Sequence, residues 1–108
     1  MTDHTRPLLL GYLRKYPTMS DAELELARKR LAEFAEREGF ALGTVYVEHL
    51  HNDPAAFDAL IEAANRYEVT AVVVPTAIHL SPVGALQSKK ARLERETGAR
   101  VLIAGSPP

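Results

Sequence analysis

The sequence has no cysteine and no tryptophan, and only 6% of its 108 residues are aromatic. Without thiols, disulfides and thiolate metal sites are excluded. Its apolar runs are far shorter than the ~20 residues that span a bilayer, and residues 1–6 lack the apolar centre of a signal peptide. The formal net charge of −1 argues against strong non-specific binding to nucleic acids. We therefore expect a cytoplasmic protein without a membrane segment.

The remaining composition is that of an ordinary globular protein, with 46% apolar and 25% charged residues. This length accommodates one domain. We predict a single domain over residues 1–108, with a core from about 8 to 104 and flexible ends at 1–6 and 105–108. The bias towards alanine, arginine, leucine and glutamate indicates a GC-rich bacterial genome.

Apolar runs and capping signals alternate along the chain. Ser20 and Glu23 form a capping box, and Gly39 and Gly98 are predicted helix stops. Asp53-Pro54 and Ser81-Pro82 each predict an N-cap followed by proline at the first helical position. The predicted strands cover residues 8–13, 43–49, 71–74 and 101–104, and two predicted helices cover 21–38 and 82–97. Another helix is predicted to start at Pro54 and to carry the apolar stripe Phe57, Leu60, Ile61 and Ala64.

The alternation of strands and helices predicts an α/β domain with a four-stranded, mostly parallel sheet and helices on both faces. Residues 43–49 alternate between apolar and polar side chains, which indicates an edge strand with one wetter face that includes Glu48. Residues 71–74 and 101–104 are apolar throughout, which predicts buried strands. We therefore predict the strand order 2-1-3-4, a flavodoxin-like arrangement.

The first strand carries Gly11-Tyr12-x-Arg14 and is followed by Tyr16. This segment resembles the opening of the serine recombinase (resolvase/invertase) catalytic domain, which reads Gly-Tyr-x-Arg-x-Ser. The resemblance extends from about Leu8 to Ala104. It implies a resolvase-like scaffold in which Tyr16 stands at the position of the nucleophilic serine. The family's long dimerisation helix and DNA-binding domain are not matched, which puts both dimer geometry and DNA contact in doubt.

The resemblance also implies that other catalytic residues are replaced. Ile78 stands where the family has an aspartate, and His79 and Pro82 stand where it has two arginines. Ser20 lies near a family glutamine, and only Arg14 is retained. Losing one preorganised donor costs ~10²–10³ in rate. We therefore expect no phosphoryl transfer and a degenerate active site.

Ligands of open α/β sheets bind at the carboxyl ends of the strands, where the strand order reverses. Between strands 1 and 3 this edge should hold one guanidinium, one imidazole and several hydroxyl groups. Arg14 has two alternative roles, an ion pair with Glu48 or a retained anion site. The candidate binding edge consists of Arg14, Tyr16, Ser20, Thr76, His79 and Ser81.

Histidines raise a metal hypothesis, because His49 and His51 would point the same way on a strand, with Asp53 and His79 as further candidate ligands. Solvated loop histidines are the alternative. His79 follows strand 3, and strand 1 would separate it from His49 and His51. We therefore predict no metal site. The first turn is not rich in glycine, so a nucleotide cofactor is not expected either.

The third helix carries Lys89, Lys90 and Arg92, offset by Glu94 and Glu96. This pattern is typical of a solvated face, with contact to DNA phosphates as the alternative. We expect a catalytically inactive, regulatory protein-interaction module that forms a homodimer. The alternatives are an accessory DNA-associated protein or recombinase remnant, and a domain that binds a small anion.

Overall fold

The computed structural model describes residues 6–49, 54–75 and 86–105, and for 86–88 it describes the backbone alone. Four strands form one sheet in the order β2-β1-β3-β4, and every neighbouring pair is parallel. This confirms the predicted fold class and strand order. The elements are β1 (Leu8–Lys15), α1 (Asp21–Glu38), β2 (Ala41–His49), α2 (Ala55–Arg66), β3 (Ala71–Val74), α3 (Leu86–Thr97) and β4 (Arg100–Ile103).

The two faces of the sheet are covered by different helices. Leu9 and Leu13 of β1 pack in one core cluster with Leu31 of α1. Leu10 and Tyr12 pack on the opposite face, against α2 and α3. Successive side chains of a strand alternate between faces, so the continuous apolar run of β1 serves both clusters. Helices therefore lie on both faces, as predicted.

Capping residues stand at the helix boundaries where the sequence predicts them. The Ser20 hydroxyl accepts from the Glu23 amide at 3.1 Å, and the Glu23 carboxylate accepts from the Ser20 amide at 2.8 Å. Gly39 and Gly98 have φ values of 82° and 73°, the left-handed conformation that ends a helix at little steric cost in glycine. Both predicted stops are confirmed.

Two local predictions need correction. Pro54 occupies the N-cap position of α2 rather than its first helical position, and it provides no side-chain cap; Asp53 and Ser81-Pro82 lie outside the described residues. The final strand was predicted to be buried, but β4 is half exposed and Ile103 is 38% exposed. The physical reason is that β4 stands at the end of the sheet, where within the described part of the chain it pairs with β3 alone.

Within the described ranges, no helix has both the length and the apolar character needed to cross a membrane. The predicted flexible ends lie outside these ranges, except for Arg6 and Gly105. The amide of Gly105 donates to the carbonyl of Pro75 at 2.6 Å, next to the carboxyl end of β3.

Candidate functional site

The carboxyl ends of β1 and β2 bring several polar side chains together. β1 is a central strand with β2 on one side and β3 on the other. Arg14 near its end is the register partner of Glu48 on β2, so the two residues lie on adjacent strands at this edge of the sheet. Tyr16 follows directly after β1. Arg14 and Glu48 are also the two buried charged residues in the described part of the protein.

Glu48 lies in the interior and is only 1% exposed. One carboxylate oxygen, Oε1, accepts from the Tyr12 hydroxyl at 2.9 Å and from the Phe57 amide at 2.8 Å. The other, Oε2, accepts from the Ala56 amide at 2.9 Å. The expectation that Glu48 lies on a wetter face is therefore wrong, because the first turn of α2 packs over the end of β2 and covers it.

This carboxylate performs the capping that Pro54 does not. The first amides of a helix lack partners within the helix, and the helix dipole places partial positive charge there. Glu48 satisfies two of these amides from a neighbouring strand. Its position thus fixes the start of α2 against the carboxyl end of β2.

Lys89 of α3 extends the same arrangement. Its ammonium donates to the Tyr12 hydroxyl at 3.3 Å and lies 5.7 Å and 5.3 Å from the ring centroids of Tyr12 and Phe57. The two rings meet edge to face, with centroids 5.5 Å apart. Both geometries are favourable for aromatic side chains. We call Glu48, Tyr12, Phe57 and Lys89 the Glu48 network; it joins β1, β2, α2 and α3.

Arg14 and Tyr16 form a second, adjacent pair. Arg14 is buried, and its guanidinium carbon lies 5.9 Å from the centroid of the Tyr16 ring. Burial raises the pKa of the Tyr16 phenol, while the charge of Arg14 and a side-chain hydrogen bond from it act in the opposite direction, with burial dominant. The Tyr16 side chain is therefore a neutral phenol near pH 7.

This raised pKa predicts an alkaline effect on stability. Because the folded protein favours the neutral phenol more than the unfolded chain does, the contribution of Tyr16 is fully present below the ordinary value of about 10 and is lost as the pH rises through the higher folded pKa. We expect the urea midpoint of the wild type to fall more steeply above about pH 10 than that of Tyr16→Phe. Urea titrations across this range measure it, and parallel profiles for the two proteins would contradict it.

The α3 cations, predicted to form a solvated face with DNA contact as the alternative, have partners within the chain. Lys90 pairs with Glu94 at 3.3 Å, and Arg92 pairs with Asp58 at 2.9 Å and with Glu96 at 3.2 Å. The Arg92 guanidinium also lies 5.4 Å from the centroid of the Phe57 ring. Through Lys89 and Arg92, these residues help to hold α3 against α2 and β1.

The structure assembles part of the predicted binding edge. Arg14 and Tyr16 lie together, whereas Ser20 is engaged in the capping box of α1. Thr76, His79 and Ser81 lie outside the described residues, as do Ile78 and Pro82.

The metal hypothesis gains no support from the described residues. His49 ends β2, while His51 and Asp53 fall outside the described ranges. Within those ranges, no group of three histidine, aspartate or glutamate side chains is placed to hold a metal ion.

Comparison with solved structures decides the fold relationship. The crystal structure of the C-terminal catalytic domain of ISC1926 TnpA, an IS607-like serine recombinase, superposes on 93% of this chain and on 71% of its own length, with a TM-score of 0.75. The fold is therefore similar to that of this recombinase catalytic domain. The two sequences are 16% identical, so the likeness concerns the fold alone. No family model and no curated protein matches the sequence.

Proposed function

We propose that this protein is a catalytically silent, resolvase-like domain that acts through protein contacts, in a regulatory role and as a self-associating module of the bacterial cytoplasm. The observation that carries the proposal is the Arg14–Tyr16 pair at the end of β1. In the recombinase-like reading of Gly11-Tyr12-x-Arg14, the nucleophile belongs at position 16. A tyrosine with a raised pKa occupies that position and contacts the one retained arginine.

The chemistry of phosphoryl transfer supports the proposed silence. Attack on a phosphodiester requires an activated nucleophile and cations around the phosphate. A tyrosine phenol is already neutral near pH 7 at its ordinary pKa, and burial raises the pKa of Tyr16 further, so this phenol is not activated as a nucleophile. Arg14 is buried against Tyr16, and the sequence has Ile78, His79 and Pro82 where the family's other catalytic groups belong.

We expect no covalent protein–DNA adduct from the wild type or from Tyr16→Ser. The serine variant restores a hydroxyl nucleophile but not the missing arginines, and each missing donor costs ~10²–10³ in rate. The measurement is denaturing electrophoresis after incubation with supercoiled plasmid and labelled duplexes, with an active serine recombinase on its own site as the positive control.

Tyr16→Phe is the matched control, because it removes the phenol oxygen and keeps the ring. An adduct that forms with the wild type and disappears in Tyr16→Phe would identify Tyr16 as a nucleophile and overturn the proposed silence. Cleavage by Tyr16→Ser alone would show that the cations present suffice for catalysis, which would also contradict the argument from the missing arginines.

A DNA-associated role is the second candidate, and the observation that favours it is the row of cations on α3. Lys90 and Arg92 are paired with carboxylates, which reduces the positive charge that they offer to phosphate. Gel shifts at low salt with linear, supercoiled and branched DNA test this role. Binding that weakens in Lys90→Ala would favour it over the regulatory role.

A small anion at Arg14 is a further alternative, tested by phosphate-dependent thermal shifts in wild type and Arg14→Ala.

A further inference from the structure

β2 is a long strand that forms one edge of the described sheet. β2 has nine residues and stands at the end of the sheet, and no strand of the described residues pairs with its outer side. Such an edge presents unpaired amide and carbonyl groups that can pair with another chain. The opposite edge strand, β4, has only four residues and begins with the exposed Arg100.

Of the usual features that block edge pairing, β2 has a bulge near its start and neither lysine nor proline. Natural edges are protected by lysine, proline or bulges. The register of β2 against β1 shifts between Leu9 and Gly11, which places the irregularity at Gly43–Thr44 and leaves the regular stretch from Val45 to His49. Residues 41–49 contain neither lysine nor proline.

The charge of this edge permits a second copy to approach. Thr44, Val45, Tyr46 and Val47 are uncharged, and the three residues from Val45 to Val47 are partly exposed. The acidic residue next to them, Glu48, directs its carboxylate inward to Tyr12 and the amides of α2. Two copies of this segment therefore meet without repulsion between acidic side chains.

The order of residues is also symmetric about Tyr46. In an antiparallel pair centred there, Tyr46 faces its own equivalent and Val45 faces Val47 of the second copy. Antiparallel pairing of identical strands about a two-fold axis is self-complementary. Opposed aromatic and β-branched residues are favourable cross-strand pairs.

We propose that the occupant of this edge is a second copy of the chain, joined by antiparallel pairing of β2 with β2 centred on Tyr46. The inference rests on the proposed self-association and specifies its surface. The two sheets form one continuous eight-stranded sheet. The axis stands perpendicular to the sheet, so α1 of both copies lies on the same face beside the seam.

Charge exchange at Tyr46 tests this arrangement. Tyr46→Lys and Tyr46→Glu each place two like charges opposite one another at the axis, whereas a mixture of the two variants places opposite charges there. Light scattering should give 23.8 kDa for the wild type, twice the 11.9 kDa of the chain. Each variant alone should give 11.9 kDa, and the equimolar mixture should regain the mass of the dimer.

The natural absence of cysteine allows an independent test that does not add charge. Opposed residues of an antiparallel pair have Cα atoms about 4.5–5.5 Å apart, within the range that a disulfide bridges. Oxidised Tyr46→Cys should therefore become a covalent dimer in high yield. Ile103→Cys on β4 is the matched control at the other edge and should stay monomeric. In a mixture of differently tagged Val45→Cys and Val47→Cys, the mixed dimer should predominate.

The outcomes separate this inference from the proposed function. A wild type that stays monomeric at high micromolar concentration would overturn both self-association and the β2 interface. A dimer that does not respond to charge at Tyr46, and that does not cross-link in the Tyr46→Cys variant, would overturn the β2 interface while leaving self-association in place. Recovery of the dimer only in the mixture of Tyr46→Lys and Tyr46→Glu, together with the cross-link between positions 45 and 47, would establish the surface and its register.

Discussion

Truncation of Phe57 to alanine should lower the free energy of unfolding by about 4 kcal/mol, the scale measured for buried aromatic residues. The Phe57 side chain is fully buried, and its ring meets that of Tyr12 edge to face. It also receives the cations of Lys89 and Arg92 from α3. The substitution therefore leaves a cavity and removes the ring that Lys89 and Arg92 of α3 contact. Urea unfolding followed by circular dichroism measures the change.

Two comparison variants separate the contributions to this loss. Phe57→Leu keeps much of the apolar volume but not the ring, so it should cost about 1–2 kcal/mol. Phe34→Ala removes a partly exposed ring of α1 that carries one cation contact, with Arg37, and should also cost about 1–2 kcal/mol. A loss below about 1 kcal/mol in Phe57→Ala would show that the surrounding core closes over the site and that α3 does not depend on the ring.

Much of the fold could be predicted from local signals. The apolar run at Ala71–Val74 coincides with β3, and the capping box at Ser20 begins α1. The order of the strands followed from β2, since its alternating pattern identified an edge strand. These features depend on residues close together in sequence, for which periodicity and capping preferences are sufficient.

The interior position of Glu48 could not be predicted in this way. On β2 it occupies a polar position of an alternating pattern, and only the packing of α2 over the strand end makes that position buried. The same contact explains the start of α2, because the amides of its first turn find Glu48 instead of a preceding cap residue. The exposure of β4 could not be predicted either, because its apolar run is as short as that of the buried strand β3 and the two look alike in sequence.

The candidate site was predictable to the extent that it lies on one strand. Tyr12 and Arg14 are two residues apart on β1, which directs both side chains to the same face. The contact of Tyr12 with Lys89 joins residues 77 positions apart in sequence and had no local signal. Lys89 was interpreted as part of a solvated or DNA-binding face because the sequence pattern of α3 contains no information about the rings beneath it.

Replacement of Glu48 by alanine should lower the free energy of unfolding by about 4 kcal/mol, since three groups lose a charged acceptor in the interior. These groups are the Tyr12 hydroxyl and the amides of Ala56 and Phe57. A hydrogen bond to a charged group contributes about 1.5–3 kcal/mol, and a buried donor left without a partner adds its own cost. The favourable interaction with the α2 dipole is lost as well. Urea unfolding measures the sum.

Glu48→Gln distinguishes hydrogen bonding from burial alone. Its carbonyl oxygen can accept from Tyr12 and Phe57, but its amide group then presents a donor to the Ala56 amide, so the loss should be about 2 kcal/mol. Glu62→Ala is the control on α2, since Glu62 is exposed and its pair with Arg66 spans 4.0 Å; the change should stay within about 0.5 kcal/mol. Equal losses in Glu48→Gln and Glu62→Ala would mean that α2 starts without the Glu48 carboxylate. A loss of unfolding free energy that grows from Glu62→Ala through Glu48→Gln to Glu48→Ala would instead show that the Glu48 side chain holds α2 against β2.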